Sequence, residues 1–135
     1  MAIAVHGSTI KTYATWLIVI GFLAFAGWQA YMYINELRYP RVPATIGGST
    51  FDVRVANTEP TREKGLSGTK ELGKDEGMLF VFDNDDTWGI WMKDMQMKID
   101  IIWLNSNKDV IYMVKKADPS SYPYTTYRPS KPARY

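Results

Sequence analysis

The chain of 135 residues contains no cysteine and a single histidine, His6. Without thiols it forms no disulfide, no cysteine nucleophile and no cysteine-ligated metal centre. Because His6 precedes a long apolar segment, a histidine zinc site or a Ser-His triad in the rest of the chain is excluded as well. The inventory therefore predicts no metal site, no catalytic residue of these types and no bound cofactor.

An excess of charge of either sign is also missing. The chain has 16 Lys and Arg against 14 Asp and Glu, a formal net charge of +2. Binding to nucleic acid requires a concentrated basic face, which a nearly balanced composition gives no reason to expect. We predict no nucleic-acid partner.

Charged side chains are absent from residues 12–35, and the segment 16–34 within them is apolar. About 20 helical residues cover the roughly 30 Å hydrocarbon core of a bilayer. Aromatic residues suited to the membrane interface stand near both ends of this segment: Tyr13, Trp16, Trp28, Tyr31 and Tyr33. The pattern predicts a single transmembrane helix in residues 1–34, with the lipid bilayer as a partner.

A cleaved signal peptide is the main alternative. Lys11 would supply its basic region, and Ala24 and Ala26 would form an A-x-A cleavage site. Apolar residues continue past that site to Ile34, which favours a retained anchor over a signal peptide; a buried helix is the third possibility. Arg38 and Arg41, close behind the segment, favour a cytoplasmic domain under the positive-inside rule, although so few charges decide little.

The remaining residues predict a mainly β domain with a minor α component. Residues 35–49, with Pro40 and Pro43, are interpreted as a stiff linker. Alternation predicts a strand over 50–56, and Thr58 is a suitable N-cap for a short helix over about 59–66. Further strands are predicted at 77–82 and 87–92, and a β-hairpin pairs 99–104 with 109–114. From Lys115 onward no periodic pattern remains, so we expect a small compact sheet or barrel-like domain over 50–135.

Five short motifs resemble those of the prokaryotic domain of unknown function 192 family. They are REKGL at 62–66, EGMLFVF at 76–82, WMK at 91–93, IDIIWL at 99–104 and PARY at 132–135. Their order and spacing are similar to the family pattern over about residues 51–135. The resemblance implies a compact β-rich domain, often found behind a signal peptide or lipid anchor, and it implies no activity.

The resemblance also draws attention to the end of the sequence. Family members continue beyond the Pro-Ala-x-Tyr element into another apolar strand, whereas this sequence stops at Tyr135. We therefore expect the last strand of the domain to be lacking. Three explanations stay open: the sequence is a fragment, another protein or a second copy adds a strand at an open sheet edge, or the open edge is tolerated.

Lys93, Asp94 and Asp100 are the candidates for polar chemistry. A lysine beside a carboxylate could bind an anionic group or transfer protons, while the plainer interpretation of Lys93 and Asp100 is a structural ion pair between two strands. The plainer interpretation is favoured, because no nucleophile or metal ligand is suggested nearby.

Three tryptophans, Trp88, Trp91 and Trp103, could form a stacking platform for a ligand ring. Because Trp88 and Trp91 differ by an odd number, a regular strand would point them to opposite faces, and at least one is expected in the core. Calcium at Asp83, Asp85 and Asp86 and copper at the methionines are weaker possibilities, since an acidic turn and core packing explain these residues.

Two functional hypotheses remain. The preferred one is a membrane-anchored, non-catalytic binding or accessory domain of unknown ligand, placed outside the cytoplasm because the family resemblance implies export. The rival is an enzyme that uses Lys93 with Asp94 or Asp100 as acid and base on an anionic or glycan substrate.

Overall fold

The uncharged N-terminal segment forms one long helix. The computed structural model describes residues 7–36 and 38–135, so His6 and Leu37 lie outside the described residues. Helix α1 spans Gly7–Glu36, and the 22-residue stretch Tyr13–Ile34 within it contains an 18-residue window with a mean hydropathy of 1.7. At about 1.5 Å per residue, this stretch matches the thickness of a bilayer core. The helix is therefore long and apolar enough to cross a membrane, although a signal sequence meets the same criteria.

The chain divides after Arg38 into two compact units, and the second, Tyr39–Tyr135, is rich in strands. Its strands are β1 (Arg41–Ile46), β2 (Ser49–Ala56), β3 (Glu76–Phe80), β4 (Ile90–Trp91), β5 (Ile99–Leu104), β6 (Val110–Ala117) and β7 (Thr126–Tyr127). They form three open sheets in the orders β1-β2-β3, β4-β7 and β5-β6. The short helix α2 spans Glu59–Lys64, and a 3₁₀ turn covers Pro119–Ser121. The predicted class, mainly β with one short helix after a long apolar one, is confirmed.

The first sheet combines a hairpin with a parallel crossover. Gly47 and Gly48, with φ of +58° and +84°, form the tight turn between β1 and β2, where positive φ favours glycine. β2 then pairs in parallel with β3, and α2 lies in the connection between them.

Strand β1 lies inside the segment that was interpreted as a linker, and the folded domain begins near residue 39 instead of residue 50. Pro43 suggested a linker because proline cannot donate to a strand ladder. Within the described residues β1 lies at the edge of its sheet and pairs with β2 alone. An edge strand tolerates proline, because no second neighbouring strand needs a hydrogen bond from the N–H that proline lacks.

The second half of the domain contains the predicted hairpin and one pairing that local patterns do not show. β5 and β6 pair in antiparallel fashion with register shifts, and β6 continues three residues beyond the predicted 114. The strand predicted over 87–92 is reduced to β4, which pairs with β7 from the segment without periodicity. Ala133 forms a bridge with Asp86, and Tyr135 exchanges backbone hydrogen bonds with Leu104.

One cluster of the hydrophobic core lies in this half, whereas Val53, Ala56, Leu66 and Phe82 are buried in the first half of the domain. The buried members of this cluster are Met92, Ile101, Trp103, Ala117 and Ala133, and Ile90, Met95 and Ile99 pack against it. Trp103 is only 2% exposed, and its indole Nε1 donates to the carbonyl of Trp88 at 3.0 Å. A buried ring with a satisfied N–H fixes the strand β5 relative to the segment before β4.

A side chain at Gly89 would displace the side chains of Thr126 and Arg128, so Gly89→Ala should destabilise the domain. A Cβ there would lie 2.6 Å from Thr126 Cγ2 and 2.9 Å from Arg128 Cζ. We expect a loss of about 1–2 kcal/mol in the free energy of unfolding, as for other overpacked sites. Chemical denaturation measures it, with Gly77→Ala as the control, since its Cβ would meet only Val53 Cγ1 at 3.4 Å. Equal effects of the two substitutions would contradict the close packing at Gly89.

Candidate functional site

An open cleft of about 520 Å³ lies between α2 with its following turn and the segment 88–99. Its volume falls within the range of about 300–1,000 Å³ that small-molecule sites occupy. Apolar residues line much of it: Leu66, Phe80, Phe82, Trp88, Ile90, Trp91, Met95 and Ile99. The charged residues among those that line it are Glu59, Arg62, Glu63, Lys64, Asp83 and Lys93. This mixture of an apolar lining and a few charges is typical of a binding site for an organic ligand.

Helix α2 is held in place at both of its ends. Thr58 caps it in a capping box with the buried Thr61, whose hydroxyl accepts from the backbone N–H of Thr58 at 3.0 Å. At the other end Gly65 has φ +49°, and a Cβ there would lie 3.2 Å from Phe80 Cζ. The hydroxyl of Tyr39 donates to the carbonyls of Thr61 and Gly65 at 3.3 Å, and its burial raises the pKa of Tyr39. One side of the cleft is thus a rigid element.

Arg62 connects α2 to the end of β3. Its guanidinium donates to the carbonyls of Asn57 and Val81 at 2.9 and 2.8 Å and to the carboxylate of Asp83 at 3.3 Å. The same guanidinium lies 5.6 Å from the centre of the Phe82 ring, within the range of a cation–π contact. With three acceptors and a ring engaged, Arg62 positions the cleft wall. The motif that contains Arg62 does not predict this role, because two of its three acceptors are backbone carbonyls, which any residue type supplies.

The aromatic wall of the cleft is built from Phe82 and Trp88. Their rings stack with centroids 4.4 Å apart and an angle of 4° between the planes. The indole N–H of Trp88 donates to the carbonyl of Asn84 at 3.0 Å, which fixes the ring. Trp91, which also lines the cleft, is 45% exposed and free to cover a ligand.

The three tryptophans of the predicted platform therefore lie in two different places. Trp88 and Trp91 line the same cleft, whereas Trp103 is buried in the core. The alternation argument assumed a regular strand over both Trp88 and Trp91, but β4 begins only at Ile90. That either ring contacts a ligand stays a prediction.

Lys93, Asp94 and Asp100 are not brought together as a unit. Lys93 is exposed and lines the cleft, and its carbonyl accepts from the Ser67 hydroxyl at 2.8 Å. The carboxylate of Asp100 instead accepts from the backbone N–H of Lys116 at 2.8 Å. None of the ion pairs found within residues 38–135 joins Lys93 to Asp100. Asp100 thus bonds to the backbone of β6 at Lys116, a residue with φ +53°.

The carboxylates of the acidic turn after β3 accept hydrogen bonds from other groups of the domain. Asp83 accepts from Arg62, Asp85 from Nε of Arg134 at 2.5 Å, and Asp86 from the backbone N–H of Thr87 at 2.6 Å. Arg134 also donates to the carbonyl of Asp83 at 2.6 Å. The turn between the two arginines thus acts as a fixed support for the Phe82–Trp88 wall.

The structure defines a small β-rich domain with an open cleft, following a helix long and apolar enough to span a membrane. The DUF192 family, described as "Uncharacterized ACR", has a sequence profile that matches residues 42–135, and the chain belongs to this family.

Two solved structures are similar to the chain. A protein of unknown function from Novosphingobium aromaticivorans is 30% identical with a TM-score of 0.65, over 70% of this chain and 69% of its own. A Sinorhizobium meliloti protein described as a candidate transcription regulator is 26% identical with a TM-score of 0.63, over 73% of this chain and 78% of its own. Among curated proteins, none matches this chain.

Proposed function

We propose that the chain is a membrane-anchored binding or accessory domain without catalytic activity, displayed outside the cytoplasm, whose cleft takes a small organic ligand with a planar apolar part. The anchor is supported by the length and composition of α1. The position outside the cytoplasm is supported by the export that the family resemblance implies.

The cleft beside the Phe82–Trp88 stack carries this proposal. Trp91 exposes 45% of its surface at a concave site, although a large aromatic ring is usually well covered in a folded domain. A ligand ring that packs on Trp91 removes this apolar surface from water and gains a ring contact of about 0.5–1.5 kcal/mol beyond the burial itself. The charges at the rim, including Lys93, would orient the polar part of such a ligand.

A screen of small aromatic compounds against the full chain in lipid nanodiscs tests the proposal, with binding followed by NMR. We expect compounds whose affinity falls about tenfold or more in Trp91→Ala, a loss of about 1.4 kcal/mol. Tyr124→Ala is the matched control, because Tyr124 is 90% exposed and does not line the cleft. The absence of any hit, or hits that Trp91→Ala leaves unchanged, would refute a ligand site in this cleft.

The placement of the domain has its own test. Protease added to intact cells should digest residues 39–135 if the domain lies outside the cytoplasm, and digestion only after lysis would contradict that placement.

The enzyme hypothesis remains as the second candidate because Lys93 lines the cleft and has no ion-pair partner among the described residues. Lys93→Ala distinguishes the two functions. Lys93 is exposed, so the variant should unfold at nearly the same temperature as the parent chain. A folded Lys93→Ala chain that has lost turnover of a substrate would support an enzyme, whereas one that binds the screened compounds as before supports the binding domain.

A further inference from the structure

The C-terminal part of the domain has an unusual surface, which we call the tyrosine–lysine segment and define as residues 115–131. It holds four of the 16 basic residues of the chain and only one of its 14 acidic residues. That acidic residue, Asp118, pairs with Lys98 at 2.7 Å, and this pairing, with a hydrogen bond from Ser120, lowers the pKa of its carboxyl. The segment is therefore strongly basic within a nearly neutral chain.

Its basic side chains are not neutralised within the domain. Lys115, Lys116, Arg128 and Lys131 are exposed, and none of them enters an ion pair with a residue of the described domain. Solvated lysines of this kind are common on protein surfaces, so the charge alone identifies no partner.

The second observation is the exposure of aromatic rings that lie between these charges in the sequence. Tyr124 is 90% exposed and Tyr122 is 39% exposed, in a turn that the Thr125 N–H closes by donating to the Ser121 carbonyl at 2.8 Å. β7 begins two residues after Tyr124, and its pairing with β4 fixes the turn to the body of the domain. Tyr124 is therefore held on a folded turn with its ring almost fully in water. Such a ring can bind a surface that offers both an apolar layer for the ring and polar groups for the hydroxyl.

Rings with a polar tip, flanked by lysines, are the side chains that favour the interface of a bilayer with anionic headgroups. In this chain only residues 35–38 separate the apolar stretch ending at Ile34 from the domain beginning at Tyr39. A bilayer that holds α1 is thus present at high local concentration for any surface of the domain. We infer that the tyrosine–lysine segment binds the surface of an anionic bilayer, with Tyr124 inserted among the headgroups. The inference relies on the proposed membrane anchor and adds a second, peripheral contact to it.

Spin labels can test this directly, because the natural chain has no cysteine and each introduced cysteine is unique. The full chain carries a label at Thr125→Cys, an exposed position beside Tyr124 that keeps the tyrosine ring, at Asn107→Cys in the β5–β6 turn, or at Phe22→Cys in α1. It is placed in nanodiscs of phosphatidylcholine with phosphatidylglycerol. Accessibility to oxygen, which concentrates in lipid, is compared with accessibility to a water-soluble nickel chelate. We expect the ratio of the two at position 125 to be several-fold higher than at position 107.

Charge dependence is the second readout. The preference for oxygen at position 125 should fall when Lys115 and Lys116 are replaced by glutamine, in discs of phosphatidylcholine alone, and in about 1 M salt, where the Debye length is roughly 3 Å. A label at 125 as accessible to nickel as the label at 107 overturns the inference; if the label at 22 is still lipid-exposed, the anchor survives this failure. A label at 22 exposed to water refutes the anchor as well. Immobilisation at 125 in detergent without lipid would indicate a protein contact and would also overturn the inference.

Discussion

Replacing Trp103 with alanine is expected to lower the free energy of unfolding by about 3–5 kcal/mol, the range for large aromatic residues in cores. The ring is 2% exposed and packs in the cluster with Met92, Ile101 and Ala133, so its removal leaves a cavity. Its loss also leaves the carbonyl of Trp88 without its indole donor. Since native domains are stable by only about 5–15 kcal/mol, this substitution should remove a large fraction of the stability of the domain.

Urea denaturation followed by circular dichroism measures this effect, and Trp103→Phe separates its two causes. Phenylalanine keeps most of the apolar volume but cannot donate to the Trp88 carbonyl, so we expect a loss of about 1–3 kcal/mol. If alanine cost no more than phenylalanine, the buried position of the ring would be wrong. Because the Trp88 carbonyl is the acceptor, both variants should also loosen the wall of the cleft.

Elements with a local cause were predictable from the sequence. Alternation around Val53 gives β2, Thr58 caps α2, and the Asn105–Asp109 turn joins the β5–β6 hairpin, in which the Asn105 side chain accepts from the Asp109 N–H at 2.9 Å. Each of these depends on residues within about ten positions of one another, the distance over which periodicity and turn chemistry act.

Elements with a distant cause were not predictable in the same way. Pro43 argued against a strand, although β1 forms by pairing with β2. β7 pairs with β4, and the paired residues Trp91 and Thr126 are 35 positions apart in the sequence. Local propensity contains no information on such partners, so tertiary pairing decides.

The candidate site shows the same limit. Trp88, Trp91 and Lys93 were singled out from the sequence, and the structure places all three at one cleft. The arginines that support this cleft were missed. Arg62 and Arg134 each donate to a carboxylate, but they also donate to carbonyls at positions 81–83, which any residue type supplies. A bond from a side chain to a backbone carbonyl leaves no particular partner residue to recognise in the sequence.

Arg62→Ala is the second substitution with a large expected effect, a loss of about 2–3 kcal/mol in the free energy of unfolding. The Arg62 side chain is only 18% exposed, and its guanidinium donates to the part-buried carbonyl of Val81 at 2.8 Å. Alanine leaves that acceptor without a partner and removes the cation from the Phe82 ring. The ion pair itself contributes little, because Asp83 is 85% exposed and water screens it.

Two further variants separate the contribution of the carbonyl contacts of Arg62 from that of its ion pair with Asp83. Asp83→Asn removes only the exposed charge and should change stability by less than about 0.5 kcal/mol, whereas Arg62→Lys keeps the charge but cannot reach the same acceptors in the fork geometry of arginine. We expect Arg62→Lys to recover less than half of the loss caused by alanine. Compounds that bind the cleft should also bind more weakly to Arg62→Lys than to Asp83→Asn, since the Phe82–Trp88 wall depends on the position of the guanidinium and not on the Asp83 charge. An Asp83→Asn variant as destabilised as Arg62→Ala would show instead that the ion pair, and not the carbonyl contacts, holds α2 to the end of β3.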